Sequence, residues 1–123
     1  QDSEKDENTL TTKDGFKYIL EEDKVTIKGY EGKESDLEIQ SEIDGHKVTK
    51  IGENAFDGNE EIINVTIPDS VKTISMYAFN KCTNLTSVIY KGTTYTTKSS
   101  LSSALKANGV KCDSDAFNNA GLK

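Results

Sequence analysis

Apolar residues gather in short clusters along this chain, and from Val48 onward the clusters return at a fixed interval. Residues 48–70, VTKIGENAFDGNEEIINVTIPDS, overlay residues 71–93, VKTISMYAFNKCTNLTSVIYKGT, at an offset of 23. Val48/Val71, Ile51/Ile74, Ala55/Ala78, Phe56/Phe79 and Val65/Val88 are identical, and Ile62/Leu85 and Ile67/Tyr90 are apolar in both copies. Every identity lies in an apolar column while the polar columns drift, so the period follows burial and not surface chemistry. Val65-x-Ile67 and Val88-x-Tyr90 alternate as a strand does, which turns these side chains inward and Thr66 outward. Pro68 lacks an amide hydrogen and suits the residue where a hydrogen-bond ladder ends. Val48-x-x-Ile51 and Val71-x-x-Ile74 predict a second short inward-facing stretch. Ala55-Phe56 and Ala78-Phe79 predict a tight helical or 3₁₀ turn with the ring in the middle of the coil.

One such coil cannot bury its own apolar edge. Coils stacked at about 4.8 Å line the columns into continuous ladders, each supplying the contacts its neighbour lacks. Phe56→Ala or Phe79→Ala is therefore expected to cost about 3–5 kcal/mol.

The flanks read as variations on the same coil. Phe16–Leu20 and Lys24–Lys28 surround Glu21-Glu22-Asp23 and predict a β-hairpin. Leu37-Glu38-Ile39 matches the strand columns, and Asp44-Gly45-His46-Lys47 predicts a turn that lengthens this first, degenerate rung, with the hairpin covering its open edge. Downstream, Lys91-Gly92 predicts another hairpin turn. Leu101, Ala104 and Leu105 fall at helical spacing, with Ser99 or Ser100 as the expected N-cap and Gly109 as the left-handed stop. Val110-Lys111-Cys112 and Ala116-Phe117 return once more to the repeat columns.

The run Val48-Thr49-Lys50-Ile51-Gly52, Ala55-Phe56, Ile62, Val65, Ile67-Pro68-Asp69-Ser70-Val71 resembles the BspA-like, or Treponema-type, leucine-rich repeat, whose strand carries L-x-x-L-x-L spacing. The second copy departs from that pattern at Ser75, where the family prefers Gly, and at Lys91, where it prefers Pro. The resemblance implies a β-rich α/β solenoid: a short right-handed leucine-rich-repeat coil with an N-terminal β-hairpin cap and a C-terminal helix-containing cap. The expected organisation is a flexible polar stub over 1–12, a hairpin cap over 13–36, repeats over 37–93 and a closing cap over 94–123 with a helix near 100–108. The stub, Gln1 to Asn8 above all, has the character of a segment left after a leader is removed.

Charge narrows the partners. The net charge is −6, and its distribution is lopsided: residues 1–47 carry 14 acidic and 7 lysine residues, against 7 and 8 over 48–123. An acidic N-terminal half disfavours nucleic acid and anionic membrane. All 15 basic residues are lysine, which removes the bidentate arginine clamp and fits the codon bias of a bacterial genome. No apolar run approaches the roughly 18–20 residues of a membrane span.

Catalytic chemistry finds little support. His46 is the single histidine and lies in an expected turn, where a solvated ring is the usual state. Cys82 and Cys112 fall in or beside apolar columns and read as small core residues; a disulfide between them is the minor alternative. The acidic runs at 21–23 and 60–61 lack the alternating oxygen ligands and glycine of a calcium loop. Asn64-Val65-Thr66 and Asn84-Leu85-Thr86 match the N-glycosylation pattern but belong to the repeat register. No catalytic residue, metal ligand or cofactor is expected.

The outward residues of the strand face are the candidate partner-binding set: Glu38, Asn64, Thr66, Ser87 and Ile89, with Tyr90 and Tyr95 near its end. The expectation is a non-catalytic, secreted or cell-surface, adhesion-type interaction module of a bacterium. Its partner would be a host extracellular or other cell-surface protein or a glycan, and the module is expected to be a monomer. The alternative is a structural spacer with no ligand of its own.

Overall fold

The computed structural model describes residues 9–123, so residues 1–8 of the expected stub lie outside the described residues. Eleven strands and one helix are present among them: β1 (Leu10–Thr11), β2 (Phe16–Glu21), β3 (Lys24–Tyr30), β4 (Asp36–Glu38), β5 (Glu42–Ile43), β6 (His46–Ile51), β7 (Asn64–Ile67), β8 (Thr73–Ile74), β9 (Ser87–Tyr90), β10 (Thr93–Tyr95), α1 (Lys98–Ala107) and β11 (Lys111–Cys112).

They form two sheets on either side of one apolar core. One runs β1-β2-β3-β6-β8-β11, with β5 beside β6; the other runs β10-β9-β7-β4. The repeat columns are the parallel ladders themselves. Leu37, Val65 and Val88 stand side by side in one sheet, and Ile27, Ile51, Ile74 and Cys112 in the other. Each of these aliphatic side chains is at most 3% exposed.

The Ala-Phe turns add a third ladder. The Phe56 amide donates to the Ala78 carbonyl at 2.7 Å and the Phe79 amide to the Ala116 carbonyl at 2.7 Å, while Gly58 and Lys81 donate in the same way to Asn80 and Asn118. Rings Phe56, Phe79 and Phe117 stack in parallel, with centroids 4.9 Å apart and interplanar angles of 4° and 2°. Offset ring stacking at this spacing is favourable beyond the area it buries. Tyr30 and Phe16 from the hairpin extend the stack, tilted, at 5.9 and 4.9 Å. Beside the rings runs a polar ladder in which Asn80 donates to Asp57 and Asn118 to Asn80, which satisfies the buried Asn80 amide at both its nitrogen and its oxygen.

Turn chemistry explains the hairpins. Glu22-Asp23, Asp44-Gly45 and Lys91-Gly92 all have positive φ at both central residues, the geometry of the two-residue turn whose twist matches paired strands. The second turn is tighter than the sequence suggested, because His46 and Lys47 already belong to β6.

Three other features differ from expectation. Leu10–Thr11, in the expected stub, pairs with β2. The hairpin joins β6 through β3 and therefore extends only one sheet; β4, whose edge it was expected to cover, has β7 as its sole strand neighbour among the described residues. The helix begins at Lys98, and its N-cap is Thr97, whose hydroxyl accepts from the Ser100 amide at 3.2 Å. A threonine that can stay extended one residue before the helix takes the capping position from the serines inside it.

Candidate functional site

The four-stranded sheet turns one side to the core and the other outward. Its register places the outward residues in two rows. Asp36, Asn64 and Ser87 are aligned across β4, β7 and β9; Glu38, Thr66, Ile89 and Thr94 are aligned across β4, β7, β9 and β10. The five residues singled out from sequence are thus neighbours on one face, about 4.8 Å apart from strand to strand. Asp36 and Thr94 were missed. Asp36 follows from alternation, two residues before Glu38, and Thr94 from the register set by the Lys91-Gly92 turn.

Within this face the residues differ in availability. Glu38 is exposed, Asn64, Thr66 and Ile89 are half-buried, and Ser87 is only 9% exposed. The Ser87 hydroxyl donates to the Asn64 side-chain oxygen, so the two close on each other across adjacent coils. Tyr90 is a correction: at 2% exposure it points into the core. Tyr95 lies opposite Val88 and is half-buried against the core, so it too leaves the outward face. The face runs from two carboxylates on β4 to neutral groups on β9 and β10.

The groups considered for chemistry have structural partners. The His46 ring meets the Asp23 carbonyl at 2.9 Å through Nδ1, which ties β6 to the hairpin turn. The Cys82 thiol is buried and donates to the Phe56 carbonyl at 3.0 Å. Burial pushes its pKa up to about 12, assisted by the Asp57 charge and opposed by a backbone hydrogen bond from Asn59. Burial and the Asp113 charge raise Cys112 to about 11. Both thiols are free and protonated at neutral pH, the unreactive form. A cleft of about 130 Å³ between α1 and the last coil, bordered by Leu101, Leu105, Cys112 and Phe117, is smaller than the roughly 300 Å³ at which ligand sites begin.

The stacked parallel strands, the phenylalanine ladder and the 23-residue period coincide with a known repeat. The family model described as BspA type leucine rich repeat region (6 copies) matches residues 35–119. The chain belongs to the BspA-type leucine-rich repeat family. The matched stretch opens at the start of β4 and ends just past Phe117.

Solved BspA-type and other leucine-rich repeat proteins share the fold. A leucine rich cell surface protein from Faecalibacterium prausnitzii is 29% identical, with a TM-score of 0.62 over 68% of this chain and 23% of that one. The Treponema pallidum leucine rich repeat protein is 33% identical, with a TM-score of 0.61 over 64% of this chain and 38% of that one. The pneumococcal vaccine antigen PcpA, at 18% identity, matches in fold alone, with a TM-score of 0.61 over 94% of this chain and 31% of that one. The chain spans less than two-fifths of the length of each of these three. No curated protein matches it. Among the described residues no helix is long and apolar enough to cross a membrane.

Proposed function

We propose that this chain is a non-catalytic interaction module of a bacterial surface or secreted protein, a short solenoid capped by the β2-β3 hairpin and by α1. It binds through the outward face of the four-stranded sheet. The observation that carries this reading is the alignment of outward side chains in two straight rows, Asp36-Asn64-Ser87 and Glu38-Thr66-Ile89-Thr94. A rigid surface of this kind holds polar and apolar groups at fixed spacing without paying ordering entropy on binding. Its partner is a host extracellular or other cell-surface protein, or a glycan short enough for a face about 15 Å wide. Likeness to a leucine rich cell surface protein from Faecalibacterium prausnitzii supports the location.

The test is a binding screen against extracellular-matrix proteins and a glycan panel, with Thr66→Lys/Ile89→Lys as control. These two positions leave the Asn64–Ser87 pair intact. Saturable binding lost in the double variant supports the face; binding that survives it places the site elsewhere. A spacer role is the second reading, favoured by ladders that make the unit stiff and by the greater length of its relatives.

A further inference from the structure

Among the described residues, the order β10-β9-β7-β4 leaves the far side of β4 without a strand. Towards β7, the Ser35 carbonyl accepts from the Ile63 and Asn64 amides at 2.7 and 3.0 Å, and the Ile39 amide donates to the Thr66 carbonyl at 3.1 Å. Alternation then turns the N–H and C=O groups of Asp36 and Glu38 away from β7, toward open space. The hairpin leaves them unpaired because it joins the other sheet. This edge borders a groove of about 660 Å³ whose lining includes Lys13, Asp14, Lys33, Glu34, Asp36 and Glu38. Four carboxylates stand there against two lysines.

We infer that the free edge of β4 accepts an extended, lysine-bearing segment of a partner protein, which adds to the four-stranded sheet as a further strand. Strand addition takes affinity from main-chain hydrogen bonds and specificity from alternate side chains. A second copy of this chain is a poor occupant, since β4 laid on β4 sets carboxylates against carboxylates, and directly opposed like charges destabilise a pair. Lysines at alternate positions of the incoming strand meet Asp36, Glu38 and Glu34 with opposite charge, which also speeds encounter. This site adds the backbone edge of β4 to two side chains that it shares with the outward face, Asp36 and Glu38; Thr66→Lys/Ile89→Lys leaves that edge intact, so the two readings fail separately.

The experiment is fluorescence anisotropy of the full chain with a short peptide alternating lysine and valine, beside its glutamate–valine counterpart. The lysine peptide is expected to bind saturably and at least tenfold more tightly than the glutamate peptide, with affinity falling as salt rises. Glu38→Pro removes one outward amide and no bond to β7, a replacement edge strands tolerate, and should weaken binding about tenfold. A lysine–valine peptide with N-methyl groups on alternate amides makes the same test without altering the protein, and it decides the matter if Glu38→Pro unfolds. Equal binding of both charge types, no binding of the lysine peptide, or full affinity of both N-methylated registers would overturn the proposal. So would dimerisation in sedimentation that Glu38→Pro abolishes, because the edge would then belong to a second copy.

Discussion

The N-terminal and C-terminal flanks of the repeat stack are built in different ways. At the first, β3 bonds to β6 and β2 to β3, extending one sheet, and Phe16 and Tyr30 carry the ring stack outward. The other sheet ends at β4, open. At the second, β10 folds back on β9, and α1 lays Leu101 and Leu105, each at most 1% exposed, over the last coil. The C-terminal tail is drawn in as well, with the Gly121 amide bonded to the Cys82 carbonyl at 3.0 Å. A strand satisfies backbone groups along a single edge, whereas an amphipathic helix shields apolar columns but offers no hydrogen bonds to an edge. The second end also finishes in edge strands, β10 and β11, but neither carries an acidic residue, whereas β4 carries Asp36 and Glu38, so the first end keeps the acidic margin.

The largest effect should come from the centre, which both ends serve. Phe79→Ala removes the middle ring of the stack and should cost about 3–5 kcal/mol in urea unfolding. Next, Leu105→Ala under the helix should cost about 3 kcal/mol, against about 2 kcal/mol for Leu37→Ala on β4, where the open edge lets the site relax. Equal costs would break the contrast between the ends. Hydrogen exchange sharpens it: the Asp36 and Glu38 amides should exchange faster than those of Leu37 and Ile39.

High pH should weaken the fold through Cys82. The unfolded thiol loses its proton near pH 9, while the folded one holds it to about 12. Its stabilisation is therefore complete below pH 9 and is lost as pH rises toward 12, at about 1.4 kcal/mol per pH unit. Urea midpoints across this range should fall more steeply for the wild type than for Cys82→Ala. The smallest effect is a gain. Lys81 holds a φ of 59° where the equivalent coil position is Gly58. Lys81→Gly should raise stability by about 0.5–1 kcal/mol, read as a higher unfolding midpoint.

Much of this was legible because a repeat makes burial periodic. The columns Val48/Val71, Ile51/Ile74 and Val65/Val88 named the core and its ladders, and the turn residues located the β9-β10 hairpin and the turn between β5 and β6, though not the pairing of those two strands. A period says which residues are equivalent, however, and nothing about what an unrepeated strand will pair with. The attachment of β3 to β6, the open edge of β4 and the place of Tyr30 in the ring stack therefore lay beyond it. The Asn64–Ser87 closure was nearer to hand, since these residues are 23 apart and so sit side by side on adjacent coils. What the sequence concealed there was that the two polar groups would satisfy each other before any partner.

Asp57 and Asn80 are separated by 23 residues and Asn80 and Asn118 by 38, yet the rings beside them keep one spacing of 4.9 Å. The coil counts rungs, not residues. The surplus chain, with β10 and α1 in it, is carried outside the stack without disturbing the ladder on either side. A fold with that property has a socket for insertion: evolution or design can lengthen the path from one rung to the next, and the scaffold that presents the new segment stays as it was.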